Sequence, residues 1–274
     1  MKESFFSLPT VREPQDLKHY IKSKDLIRKG IGKAEDTALL IGAGKCRDIP
    51  LPEILENFDS IEIVDLNFEG AKEALKQVPV DLRKKIHLNP IDASGGMAEL
   101  YFNSIVNCLE EMETFNEDAF AKCIGDVGDE IKKGDFSLPY NQDSFDLIVS
   151  SCIISQFHTM PVKKIMQLIL KKFGSEIKIT KDITPFEGKT ASIMQRKHIE
   201  EISRLLKKDS IGVLTTTAIC EIAGQKEQLV DVTKLTEVIK KEFKIKEDKE
   251  WIWSDEEKSR FRPIYTIKGW LFQK

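Results

Sequence analysis

The sequence predicts an α/β fold: a mostly parallel seven-stranded sheet with helices on both faces, closed by an antiparallel terminal strand pair. Three observations carry this. Short apolar runs alternate with helical patterns from about residue 37 to residue 217, as strands joined by helical crossovers do. The first run ends in glycines, as a buried strand entering a tight turn does. Past residue 220 one helical pattern is followed by two strand patterns with no helix between them, which predicts a hairpin at one sheet edge.

The elements follow in order. Residues 15–31 carry Leu17, Tyr20, Ile21, Leu26 and Ile27 near helical spacing. Pro9 and Pro14 interrupt the chain before them. Residues 37–42 (TALLIG) read as the first strand, and Pro50 and Pro52 stand at the start of a helix over 51–57. Residues 60–65 are the second strand and 68–78 the next helix. Residues 86–92 are a third strand that Pro90 shortens. Two helical patterns, near 98–112 and 118–132, precede the fourth strand at 145–151. Pro161 opens a helix over 161–173, a polar loop spans 174–187, and Thr190 or Ser192 caps a helix over 190–207. The fifth strand is 211–217. A helix over 231–243 leads into the strand pair 244–253 and 264–273.

Composition narrows the function classes. The chain has 274 residues with 42 Lys and Arg against 45 Asp and Glu, a formal charge of −3. That balance argues against a nucleic-acid partner, which calls for positive excess. No run approaches 18 apolar residues, and the N-terminus MKESFFSLPTVREP lacks a secretory apolar core. A cytoplasmic protein without a membrane partner is expected. The five cysteines include no CxxC and are odd in number, so reduced thiols are expected, with no metal site.

In an open α/β sheet, ligands bind at the carboxyl ends of the strands. The first strand ends in Gly42-Ala43-Gly44-Lys45-Cys46-Arg47-Asp48. Two glycines let the chain turn sharply and let a ligand approach the backbone. A dinucleotide fingerprint needs a third glycine at position 47, where Arg47 stands. The second strand ends in Asp65, whose carboxylate can accept from a ribose diol, or merely solvate a strand end. The third ends in Asp92-Ala93-Ser94-Gly95, which suits either an adenine amine or a plain Asx turn.

Together the segments VDLN (64–67), IDASG (91–95), LPYNQDSFDLIVSS (138–151) and HIEEISRLLKKDSIGVLTTT (198–217) resemble those of the class I S-adenosylmethionine-dependent methyltransferases. The likeness spans roughly residues 36–273, and it implies a Rossmann-like fold and S-adenosyl-L-methionine as cofactor. By position it implies that Gly42, Ala43 and Gly44 approach the methionine moiety. Asp65 would hold the ribose hydroxyls, with Leu66 on the adenine. Asp92 would accept from the adenine amine and Ala93 would offer its N–H. Ser151 would lie beside the methionine amino group or the transferred methyl. The chain departs from the pattern at Leu40, where an acidic residue is common, and at Cys46, where a third glycine is common. Asp48 is the loop carboxylate placed to stand in. Gly134-Asp135 is a second candidate for the adenine contact.

The implied activity is methyl transfer to a small-molecule acceptor, with no catalytic residue identified. Tyr140, Ser155, Gln156 and His158 are acceptor-side candidates, His158 being the only near-neutral base, although an exposed loop histidine is its plainer reading. A binding or regulatory protein of this fold without catalysis is the alternative. An NAD-dependent oxidoreductase fits less well, given Arg47 and the terminal strand pair. Gly188-Lys189-Thr190 lacks the strand and glycine of a phosphate loop, and Trp251, Trp253 and Trp270 read as sheet-face residues. One domain over 1–274 is expected, with a helical extension at 1–35 and insertions near 95–135 and 158–187.

Overall fold

The computed structural model describes residues 17–32, 35–76, 78–174, 184–222, 224–253 and 263–274. The proline-interrupted start, most of the polar loop after residue 174 and the link between the last two strands lie outside these residues. Eight strands make one sheet: β1 (Glu35–Ile41), β2 (Phe58–Val64), β3 (Ile86–Asn89), β4 (Phe145–Ser151), β5 (Leu206–Ile222), β6 (Gln225–Gln228), β7 (Lys244–Trp253) and β8 (Ile264–Gln273). Their order is β3-β2-β1-β4-β5-β8-β7, with β6 paired to the far end of β5. The first five strands run parallel, and β8 runs antiparallel to both β5 and β7. The order reverses between β1 and β4, the switch point where such sheets take ligands.

The helices are α1 (Leu17–Arg28), α2 (Leu51–Asn57), α3 (Phe68–Leu75), α4 (Met97–Glu111), α5 (Glu117–Lys133), α6 (Gln156–Phe173), α7 (Thr184–Leu205) and α8 (Val232–Glu242). Strand alternation sorts them. Ala38, Leu40, Ile61, Ile63, Leu147 and Val149 point into one core with Leu26 and Ile27 of α1, Leu55 of α2 and Ala71 of α3. Leu39, Ile41, Val64 and Ile148 point the other way, against Ile105, Ile124, Ile165, Ile202 and Ile239 of α4 to α8. Burying each such side chain contributes roughly 1.5–3 kcal/mol, so the period-two pattern sets the register. Caps fix the helix starts. Asn67, Asn116 and Asp231 accept from the backbone N–H groups of Gly70, Ala119 and Lys234 at 3.1, 2.9 and 3.1 Å, satisfying donors that a helix leaves open.

Four expectations need correction. The sheet has eight strands rather than seven, because β6 (QKEQ) is exposed throughout and has no apolar pattern to announce it. Helix α6 starts at Gln156, so Pro161 lies inside it; proline lacks the N–H that would reach the Phe157 carbonyl. Helix α7 starts at Thr184, which leaves Thr190 in its interior, buried against Gly128 of α5. The GKT triplet therefore lies within a helix and not in a loop after a strand. Strand β5 is far longer than 211–217 because its outer half pairs with β6 and β8. Trp251 and Trp270 are buried on the sheet as expected. No helix among the described residues is long and apolar enough to cross a membrane.

Close packing of β5 on β8 rests on Gly212, which pairs with Phe272. A Cβ there would stand 2.0 Å from the Phe272 ring, which lies tilted against Phe243 with the ring centroids 4.3 Å apart. Gly212→Ala should therefore cost about 1–3 kcal/mol by overpacking. Urea unfolding checks this: a midpoint equal to the wild type would show that Phe272 does not lie over Gly212.

Candidate cofactor site

A cleft of about 240 Å³ opens at the carboxyl edge of the sheet. Its floor comes from the ends of β1, β2 and β3: Gly42 and Gly44, then Asp65 to Asn67, then Asp92 and Ala93. Its wall comes from Ala98 of α4, Ile153, and Gln156, Phe157, Met160 and Pro161 of α6. Six of the eight residues expected at a site thus share one cleft. The other two do not line it. Ala43 is buried in the α1–α3 core, and Ser151 is buried at the end of β4, where its hydroxyl bonds Asp48.

The loop after β1 owes its shape to glycine. Gly42 and Gly44 both hold positive φ, +70° and +48°, which side chains disfavour. A Cβ on Gly42 would strike Ile153 at 2.6 Å, whereas nothing lies within 4 Å of the corresponding point on Gly44. The open face of Gly44 is thus a backbone surface that a ligand can approach. Asp65 holds this loop: its carboxylate accepts from the Gly44 N–H at 2.7 Å and from the Asn67 N–H at 2.6 Å. One bond falls on each oxygen, so each keeps a lone pair.

Asp92 shapes the turn after β3. It accepts from the Ser94 N–H and hydroxyl at 2.9 and 2.7 Å and from the Gly96 N–H at 3.1 Å. The plain Asx-turn role is therefore present, with one lone pair of Oδ1 left over. Gly95 (φ +65°) sits so close to the Phe136 carbonyl that a Cβ would stand 2.0 Å from it. Asp135, the second adenine candidate, is exposed, bonds Ser137 and lies outside the cleft lining. Asp146 of the Ser-Phe-Asp segment works at the opposite end of the sheet, accepting from the Thr37 N–H and pairing with Lys207 at 2.8 Å.

The acceptor-side candidates scatter. Tyr140 precedes β4 and packs edge-on against Phe145 at the strand's amino end, away from the carboxyl end where an acceptor-side residue belongs. Gln156 lines the cleft and donates to the Cys152 carbonyl at 2.9 Å; Ser155 is buried at the start of α6. His158 is neither in a loop nor a near-neutral base. It lies on α6 with its ring 5.3 Å from Tyr101, and its Nε2 is buried without a hydrogen-bond partner. Burial pushes it down to about 4. Sequence reasoning missed a second buried imidazole: His198 of α7, whose Nε2 is 2.9 Å from Ser150 Oγ. Burial lowers it to about 4 as well.

Both imidazoles are neutral in the folded chain near pH 7, while in the unfolded chain they titrate near 6.5. Below 6.5 the unfolded chain takes up protons that the folded chain refuses, so stability falls from pH 6.5 toward 4. Each histidine contributes a slope of up to roughly 1.4 kcal/mol per pH unit. Asp48 opposes this in part, because its raised carboxyl favours the fold at low pH. Proton NMR should show neither histidine titrating between pH 8 and 5, with the urea midpoint falling across that window. A His158 resonance titrating near 6.5 would contradict the burial described.

No protein-family model matches the chain, and no curated protein matches it. Among solved structures it is similar to the YcgJ protein of Bacillus subtilis, at 13% identity over 93% of this chain and 97% of that one, with a TM-score of 0.49. It is similar to an S-adenosylmethionine-dependent methyltransferase of Methanosarcina mazei, at 13% identity over 91% and 96%, with a TM-score of 0.49. For the N-methyltransferase NodS of Bradyrhizobium japonicum the figures are 8%, 96%, 100% and 0.46. The order and direction of its own strands make a Rossmann-like sheet with a reversed β8 between β5 and β7, the fold that the resemblance of its sequence implies.

Proposed function

We propose that this protein binds S-adenosyl-L-methionine in the cleft and transfers its methyl group to a small-molecule acceptor. The observation that carries this reading is that Gly42, Gly44, Asp65, Leu66, Asp92 and Ala93, from three adjacent strand ends, line one cleft at the switch point of the sheet. The free lone pair on each Asp65 oxygen suits the two ribose hydroxyls. Leu66 would pack on the adenine, the remaining Asp92 lone pair would accept from its amine, and the Ala93 N–H would serve a ring nitrogen. The cleft is smaller than the ~300–1,000 Å³ usual for ligand pockets. Gly42, Gly44 and Ser151 would then hold the methionine portion beyond the cleft.

When bound, the cofactor supplies an electrophilic methyl on a sulfonium. The chain's part is alignment, since in-line placement of a nucleophile can supply most of the acceleration. The wall of the cleft is largely apolar, and among the described residues no lysine or histidine lines it. Asp65 and Asp92, its two carboxylates, are engaged by backbone N–H groups. The arrangement thus suits an acceptor that already carries a lone pair at neutral pH and needs no general base. The reversed β8 and the arginine at position 47 support this reading over hydride transfer with NAD.

Calorimetric titration tests it. S-adenosylmethionine and S-adenosylhomocysteine should bind and NAD should not. Asp65→Ala should weaken both adenosyl ligands at least tenfold, about the worth of one charge-assisted hydrogen bond. No binding of either ligand at millimolar concentration would sink the proposal. Binding with no transfer to a broad acceptor panel would turn it into a binding-only function.

A further inference from the structure

One wall of the cleft is weakly tied to the rest of the molecule. Gln156, Phe157, Met160 and Pro161 line it, and all belong to the start of α6. Pro161 has no N–H for the Phe157 carbonyl, and a proline ring inside a helix presses on that same carbonyl. The turn ahead of Pro161 is therefore not laced to the helix behind it at this point. Its own start is weak as well. Ser155 stands at the N-cap with no side-chain bond into the turn, and no acidic residue lies in the first turn. The side-chain support that usually steadies a helix start is missing. The Thr159 N–H reaches the Ser155 carbonyl at 3.4 Å, longer than the ~2.7–3.2 Å of a good N–H···O bond. The Thr159 hydroxyl donates to the same carbonyl at 2.9 Å. Gln156 ties the turn back toward β4, with its N–H on the Ile153 carbonyl at 2.8 Å and its side-chain amide on the Cys152 carbonyl at 2.9 Å. Cys152 itself holds a positive φ of 49°, which residues other than glycine rarely adopt.

His158 makes the closed position costly. It is the third residue of α6, with its ring 5.3 Å from that of Tyr101 on α4. Its Nε2 is buried and meets no hydrogen-bond partner. An unpaired buried polar atom disfavours the state that holds it by about 5- to 150-fold. Phe157 pulls the other way. It is buried, edge-on to His198 at 5.1 Å, and burying a phenyl ring favours the closed turn by about 10- to 150-fold. The two effects are of the same size, so the closed turn wins by a small margin and opens locally. An outward swing lets His158 Nε2 meet water and widens the cleft. The floor does not share this softness. Asp65 holds the Gly44 and Asn67 N–H groups at 2.7 and 2.6 Å, and Asp92 holds those of Ser94 and Gly96 at 2.9 and 3.1 Å.

We propose that residues 156–160 swing out about Pro161 as one unit and serve as the door of the cleft. The role of door rests on the proposed function, because what it admits is the adenosyl ligand. In the closed position Phe157 and Met160 share the cleft with Leu66 and Ala93, the residues expected on the adenine. Entry and release both wait for the opening.

Hydrogen exchange of the ligand-free protein, followed by NMR, reads the motion. The Thr159 and Met160 amides should exchange at least 100-fold faster than those of Ile165 to Ile169 further along α6. Pro161→Ala returns an N–H for the Phe157 carbonyl, and His158→Leu removes the unpaired nitrogen. Each should slow Thr159 and Met160 about tenfold, while Ile165 to Ile169 change less. The two variants act by different means, so either suffices if the other does not fold. Stopped-flow mixing with S-adenosylhomocysteine reads the door. In both variants association and release should slow together, by about the factor seen in exchange. A wall that merely touches the ligand would change release alone. Thr159 and Met160 amides as slow as Ile165 to Ile169, or unmoved by both substitutions, would overturn the swinging turn. Exchange that slows while both ligand rates stay the same would overturn the door. If no adenosyl ligand binds wild type, the proposed function fails, and exchange alone still decides whether the turn opens.

Discussion

The carboxylate of Asp65 joins two strand ends that the chain separates by a whole helical crossover. Its bond from the Gly44 N–H reaches across 21 residues, and its bond from the Asn67 N–H turns the chain into α3. Both are charge-assisted, the stronger kind of hydrogen bond. They hold the glycine loop open at Gly44 and set Leu66 and Asn67 beside it in the cleft. The parallel register of β1 on β2, Ile41 opposite Val64, makes the bond possible, because it brings both strands to an end at the same level. Everything at the carboxyl edge is built outward from that level: the Asp92 turn on one side, the Ser151 and Asp48 pair on the other.

Most of the fold was legible because burial leaves a pattern. Helix α2, strand β4 and strands β7 and β8 fall where Pro52, the Ser-Phe-Asp segment and the closing apolar runs place them. Two features escaped for different reasons. Strand β6 has no apolar signature and is held by pairing alone, and the first turn of α6 was hidden behind Pro161, a residue that more often opens a helix than sits within one. Asp65 and Asp92 were legible as strand-end carboxylates, and both serve their own turns as well as facing the cleft. The bonds from Ser151 to Asp48 and from Ser150 to His198 were not legible. They span 103 and 48 residues, and only the packed sheet brings such partners together.

The two faces of the sheet divide the work. On the α4–α8 face the cleft wall from Ala98, Ile153 and α6 carries no charge, and the two histidines buried there have lost their use as bases near pH 7. On the α1 face a carboxylate, two hydroxyls, a thiol and an imidazole gather around one point. The glycine loop passes between these environments.

The most direct measurement of this account is hydrogen exchange with and without S-adenosylhomocysteine. Bound ligand should slow exchange in the loop from Gly42 to Asp48, at Leu66 and Asn67, and in the turn from Ala93 to Met97, while the outer face of α5 from Asp126 to Lys133 exchanges as before. Protection confined to α5, or spread evenly over the chain, would contradict a site built on three strand ends.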